Sequence, residues 1–127
     1  MIPRQGFRVL CVDDSEEVLK VLRLALESFG YDVDTAVNGY AALQRVTRKT
    51  DYFQLVMTDL RMPGMSGIEL IEQTRSSGYL GPYIVYAAHI APDDRTRLRE
   101  LRVLHVIDKP ARVGELISAI KEVQSSF

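Results

Sequence analysis

Five short apolar runs, each followed by a turn and then by a stretch with helical spacing, restrict this chain more than any other feature. The runs are Phe7 to Val12, Tyr31 to Ala36, Phe53 to Thr58, Pro82 to Ala88 and Val103 to Ile107. Phe7 to Val12 is nearly continuous in apolar residues, the pattern of a strand covered on both faces. The stretches between them read as helices. Ser15 is an N-cap with Glu16 and Glu17 in the first turn, and Val18, Leu22, Ala25 and Phe29 keep helical spacing until Gly30 offers a stop. Asn38-Gly39 opens a shorter helix with Ala42, Leu43 and Val46 facing inward. A third, from about Ser66 to Ser76, turns Ile68, Leu70 or Ile71, and Thr74 toward the core, and Gly78 and Gly81 punctuate the chain after it. The fourth starts near Pro92 with Asp93 and Asp94 in its first turn and is the most polar. The last carries Val113, Leu116, Ile117, Ile120 and Val123 at i, i+3, i+4 spacing. Strict alternation with short connections predicts an α/β fold, a five-stranded parallel sheet doubly wound by five helices, because right-handed crossovers place the helices on both faces.

A chain of 127 residues is long enough for one core and too short for two, so residues 1–127 are expected to form a single domain. The polar ending Gln124-Ser125-Ser126 suits a natural terminus as well as a cut in a longer protein. A net charge of -1 gives no general attraction to nucleic acid. Cys11 is the only cysteine, which excludes an internal disulfide or a zinc cluster, and its setting in Val9-Leu10-Cys11-Val12 is that of a small buried hydrophobe. No apolar run reaches membrane-spanning length, and Met1-Ile2-Pro3-Arg4-Gln5 does not lead into a signal-peptide core, so the expected location is cytoplasmic.

The chemistry lies where the apolar runs end. Asp13-Asp14 follows the first, Asp59 the third and Lys109-Pro110 the fifth. Charges at the ends of parallel strands converge on the carboxyl edge of the sheet, where open α/β proteins bind ligands. Each motif alone has an ordinary explanation: an Asp pair caps a helix, Lys-Pro is a turn before one, and an Asp before a turn is common. Their joint placement is much harder to reach by chance. At an effective dielectric near 20, two like charges about 4 Å apart repel by roughly 4 kcal/mol, so three carboxylates call for a cation. Hard oxygen ligands in this number suit Mg²⁺, with the Lys109 ammonium as a second, fixed positive point. Such a site favours phosphoryl transfer, with Asp59 as the in-line nucleophile that becomes an acyl phosphate.

The runs Val12-Asp13-Asp14-Ser15, Ala36-Val37-Asn38-Gly39, Asp59-Leu60-Arg61-Met62-Pro63-Gly64-Met65-Ser66-Gly67 and Asp108-Lys109-Pro110 make the full length of the chain resemble a bacterial response-regulator receiver domain, the phosphoacceptor half of two-component signalling. The resemblance implies a flavodoxin-like fold with strand order 2-1-3-4-5. It implies that Asp59 accepts phosphate from a phosphohistidine on a histidine kinase or histidine phosphotransfer protein, and that the chain catalyses only its own phosphorylation and dephosphorylation. Asp14, Asp59 and the Arg61 backbone carbonyl would bind Mg²⁺, or Mn²⁺ in its place, with Asp13 acting through metal-bound water. Lys109 would pair with the phosphoryl oxygens, placed by a cis Lys109-Pro110 bond. Met62, Pro63 and Gly67 would shape the loop beneath the site, with Ala88 beside the phosphate. An output domain or target protein would read the modified state, and a dimer is compatible with it.

Two positions depart from the family. The fourth run, Pro82-Tyr83-Ile84-Val85-Tyr86-Ala87-Ala88, has Ala87 where the family carries Thr or Ser, and a shift of one register gives Ala88, which also lacks a hydroxyl. Val106 stands where Tyr or Phe is usual. A hydroxyl bond to a charged phosphoryl oxygen is worth roughly 1.5 to 3 kcal/mol, so phosphorylation would bias the usual rearrangement by about one to two powers of ten less. His89 reads as a solvent-facing loop residue rather than one leaning over the pocket, and His105 as structural or exposed. Arg95, Arg97, Arg99 and Arg102 form a solvated face offset by Asp93, Asp94 and Glu100 rather than a nucleic-acid site, and the six tyrosines are mostly packing. The main rival reading is a docking module that works without phosphate. A Mg²⁺-dependent aspartyl phosphatase fits less well, because such enzymes place an Asp two residues after the nucleophile and this chain has Arg61.

Overall fold

The computed structural model describes residues 6–126, so the reading of Met1 to Gln5 as leading into no signal sequence lies outside the described residues. Ten elements alternate: β1 (Arg8–Val12), α1 (Glu16–Ser28), β2 (Asp32–Ala36), α2 (Gly39–Arg48), β3 (Leu55–Thr58), α3 (Gly67–Ser76), β4 (Tyr83–Ala87), α4 (Pro92–Glu100), β5 (His105–Asp108) and α5 (Val113–Ser125). All strand pairs are parallel, in the order β2-β1-β3-β4-β5. Among the described residues no helix is long and apolar enough to cross a membrane.

Strand alternation splits the core into two layers. Leu10, Val12, Val56, Tyr83, Val85 and Ala87 point toward α2, α3 and α4, and pack with Ala42, Val46, Leu70, Ile71 and Leu98. Val9, Cys11, Leu55, Met57, Ile84 and Ile107 point the other way and pack with Leu19, Leu22, Leu26, Leu116, Ile117 and Ile120 of α1 and α5. The sheet is therefore covered on both faces, as the nearly continuously buried runs of β1 and β3 require. Helix starts are chemically marked: Ser15 accepts from the Val18 N–H, Asn38 from Ala41, and Ser66 from Glu69, whose carboxylate returns to the Ser66 N–H.

Three expectations need correction. The inward face of α1 is Leu19, Leu22 and Leu26, while Val18 and Ala25 only flank it and Phe29 is 40% exposed. Val103 precedes β5 rather than opening it: its N–H closes the turn onto the Leu98 carbonyl, and the strand runs from His105 to Asp108. Val113 sits at the outer face of the first turn of α5 and is exposed, whereas Leu70 and Ile71 are both buried. Of the tyrosines, Tyr31, Tyr79 and Tyr83 are buried; Tyr40 is more than half exposed, and Tyr52 packs edge-on against the buried Phe53 ring.

Candidate functional site

Three of the predicted site residues, Asp13, Asp59 and Lys109, are each fixed by one more sheet-like hydrogen bond just beyond a strand end. The Asp13 N–H donates to Ala36 at 3.2 Å, Asp59 to Val12 at 2.9 Å and Lys109 to Ala87 at 2.9 Å. These bonds carry the ladder a step past β1, β3 and β5, so the three side chains are held by the sheet rather than by mobile loops. The Lys109-Pro110 bond is cis. Asp13, Asp14, Asp59 and Lys109 come together at the carboxyl edge.

The Lys109 ammonium donates to Asp13 Oδ2 at 2.6 Å and to Asp59 Oδ2 at 3.1 Å. The remaining oxygens are held by the backbone: Asp13 Oδ1 accepts from Ser15 at 2.9 Å, and Asp59 Oδ1 from Leu60 at 2.7 Å. Burial pushes the Lys109 pKa down, but the hydrogen bond and charge of Asp13, and then those of Asp59, outweigh it and leave the pKa raised. Lys109 Nζ also lies 5.4 Å from the centroid of the Tyr86 ring, whose hydroxyl accepts from the Ala111 N–H. Asp13 is buried, Asp14 is exposed, and the Asp59 side chain is 13% exposed, so it is shielded yet reachable.

One carboxylate oxygen from each of Asp13, Asp14 and Asp59 falls within 4.8 Å of the others. An all-oxygen donor set of this size fits a hard divalent cation. Asp14 takes no hydrogen bond among the described residues, which leaves it free to ligate, whereas Asp13 is already shared between Lys109 and Ser15.

The loop after Asp59 is shaped by close contact. The Gly67 N–H donates to Leu60 at 2.8 Å, and a Cβ at Gly67 would strike the Asp59 carbonyl oxygen. Met62 is buried beneath the loop and Pro63 exposed, its carbonyl accepting from Met65. Ala87 is fully buried at the end of β4, paired in register with Asp108, and Val106 pairs with Val85 and packs on the α2–α3–α4 side. Ala88 is half-buried, and His89 is exposed in the loop with a φ of 52°. The neighbouring hydroxyl of Thr58 donates to the Asp59 carbonyl at 2.8 Å. His105 lies beside Glu122 at 3.7 Å.

Arg61, read from sequence for its carbonyl, also uses its side chain: it donates to Asp94 Oδ2 at 3.0 Å. Arg95 pairs with Asp108, and Arg97 with Glu72 and Glu100. Of the charges read as offsetting one another within the fourth helix, only Arg97 and Glu100 pair directly among the described residues; Arg95, Arg97 and Asp94 also reach partners outside it. Neither Arg61–Asp94 nor the stacking of Tyr86 on Lys109 had a signal in sequence, since both join residues far apart in the chain with no spacing rule.

A doubly wound sheet whose carboxyl edge gathers three carboxylates and a lysine is the arrangement of an α/β phosphoacceptor-type site. The response regulator receiver domain family matches residues 9–121, and the chain belongs to it. It is 34% identical over 116 residues to the transcriptional regulatory protein CpxR homolog of Haemophilus influenzae, covering 91% of this chain and 49% of that protein. It is 35% identical over 118 residues to the sensor histidine kinase GacS of Pseudomonas protegens, covering 89% of this chain and 13% of that protein. The chain thus spans half or less of these relatives. The non-phosphorylated HemR receiver domain from Leptospira biflexa has the same fold, with a TM-score of 0.84 at 28% identity over 92% of this chain and 93% of that one.

Proposed function

We propose that residues 1–127 form a single cytoplasmic phosphoacceptor domain in which Asp59 takes a phosphoryl group from a phosphohistidine on a histidine kinase or histidine phosphotransfer protein, and passes the signal on through altered protein contacts. The observation that carries this reading is the meeting of Asp13, Asp14, Asp59 and Lys109 at one strand-end pocket, with Asp59 partly open. A carboxylate oxygen of Asp59 attacks phosphorus, the P–N bond breaks, and the imidazole nitrogen keeps the electron pair. Asp59 becomes an acyl phosphate. The Leu60 N–H holds the carboxylate in its orientation, and Lys109, already hydrogen-bonded to Asp59, would pair with a phosphoryl oxygen. Asp14, Asp59 and the Arg61 carbonyl would hold Mg²⁺ or Mn²⁺, with Asp13 acting through metal-bound water. A bound divalent ion supplies neutralisation of the charge that gathers on the equatorial oxygens. Met62, Pro63, Gly67 and Ala88 shape the surroundings.

The test is phosphotransfer from acetyl phosphate and from a phosphorylated kinase, with and without Mg²⁺, on wild type and Asp59→Asn. Label is expected only on wild type and only with the ion. Equal label on Asp59→Asn would reject the assignment. Ala87 and Val106 favour one other reading, a docking module that works without phosphate; absence of any label on wild type would select it.

A further inference from the structure

The α4 helix is the most weakly anchored of the five, with Leu98 its one buried residue. Its first turn has an unusual dependence. The N-cap is Ala91, which has no side-chain acceptor, so the cap falls to Asp94 at the third helical position, whose Oδ2 accepts from the Ala91 N–H at 3.1 Å. The same oxygen accepts from Arg61 Nη2 at 3.0 Å. Arg61 stands two residues after Asp59 and its side chain is 67% exposed, so its guanidinium is free to turn.

We propose that the Arg61–Asp94 ion pair is a latch between the loop after Asp59 and the first turn of α4, and that a phosphoryl group on Asp59 opens it by competing for the Arg61 guanidinium. This rests on the reading of Asp59 as phosphoacceptor. A phosphoryl group presents about two negative charges and several acceptor oxygens on a residue two positions from Arg61 in the chain, where the resting site offers a carboxylate already held by Lys109 and Leu60. Planar guanidinium groups favour such oxygens. Asp94 then keeps its cap on Ala91 but loses its tie to the loop, and α4 is held by Leu98 and its remaining ion pairs. The latch provides a route from Asp59 to α4 that needs neither a hydroxyl at Ala87 nor an aromatic ring at Val106. Exposed pairs of this kind bias an equilibrium by up to about fivefold, so the response is graded and sensitive to salt.

The experiment is amide hydrogen exchange of Arg95 to Leu98 at low ionic strength, before and after acetyl phosphate with Mg²⁺, with modification of Asp59 measured by intact mass on the same samples. Wild type is expected to exchange about two- to fivefold faster when modified. Asp94→Asn keeps an oxygen for the Ala91 cap and removes the charge, so it should exchange at the faster rate before modification and change little after it; Arg61→Gln should behave alike. A wild type that is modified at Asp59 without faster exchange overturns the latch alone, as does an Asp94→Asn response equal to that of wild type. Failure to modify Asp59 in any sample overturns the phosphoacceptor reading and the latch with it.

Discussion

Lys109 is held more tightly by Asp13, at 2.6 Å, than by Asp59, at 3.1 Å. In the unmodified site the ammonium therefore belongs chiefly to a carboxylate that is 2% exposed. Lys109→Met would strand Asp13 without its cation. Removing one partner of a fully buried pair costs about 3–5 kcal/mol, and the partial exposure of Lys109 reduces this to about 1–3 kcal/mol. Urea unfolding should show the loss, together with failure of phosphotransfer. A variant as stable as wild type would mean that the pair is energetically neutral.

Gly67→Ala is expected to disturb the acceptor without touching a charge. The added methyl group meets the Asp59 carbonyl oxygen and the Leu60 backbone, neither of which can turn aside as a flexible side chain would. Overpacking of this kind costs about 1–3 kcal/mol, and here the strain falls on the residue that accepts phosphate. A lower unfolding midpoint and slower phosphotransfer should appear together. Full transfer rate with unchanged stability would show that α3 can slide away freely.

Ala87→Thr restores the hydroxyl that the family uses. If the group reaches a phosphoryl oxygen, the modified state gains roughly 1.5 to 3 kcal/mol of differential contact, or about one to two powers of ten in its equilibrium. Ala87 is fully buried, so the unmodified protein should lose stability. Chemical-shift changes in α4 and β5 on adding beryllofluoride with Mg²⁺ should be larger in the variant than in wild type. Responses of equal size would show that the missing hydroxyl is immaterial.

Alkaline stability should be lost in one window. Burial raises Tyr83 to about 12, opposed by the Thr74 hydrogen bond and Arg75, and burial with the neighbouring Tyr83 raises Tyr79 further. Lys109 is raised as well. A group with a raised folded pKa stabilises fully below its unfolded value and loses that contribution as pH climbs through the folded one. Stability should therefore decline from about pH 10 upward. Tyrosinate absorbance should show the last phenols ionising together with unfolding. Complete ionisation of all six in the folded protein would contradict this.

The order of elements and the meeting of the four charged residues were legible because they depend on period and on strand ends, both of which sequence displays directly. The rotation of α1 was not. Val18, Leu19, Val21, Leu22, Leu24, Ala25 and Leu26 are apolar nearly all round the helix, so spacing alone cannot choose between the face with Leu19 and Leu26 and the one with Val18 and Phe29. Val103 misled for a similar reason. A buried apolar residue that seals the end of α4 has the same sequence appearance as the first residue of a strand. Arg61 and Asp94 lie 33 positions apart and needed the folded geometry to be recognised as neighbours.

Cys11 faces the layer between the sheet and α1 with α5, has no exposed surface, and has its thiol pushed up to about 12, chiefly by burial. Since it is the only cysteine in the chain, a second one placed on the outside would be the sole thiol within reach of a maleimide dye. A fluorophore could thus be attached to the outer side of α4 in the otherwise native protein, and its emission followed in real time with no background from the natural sulfur.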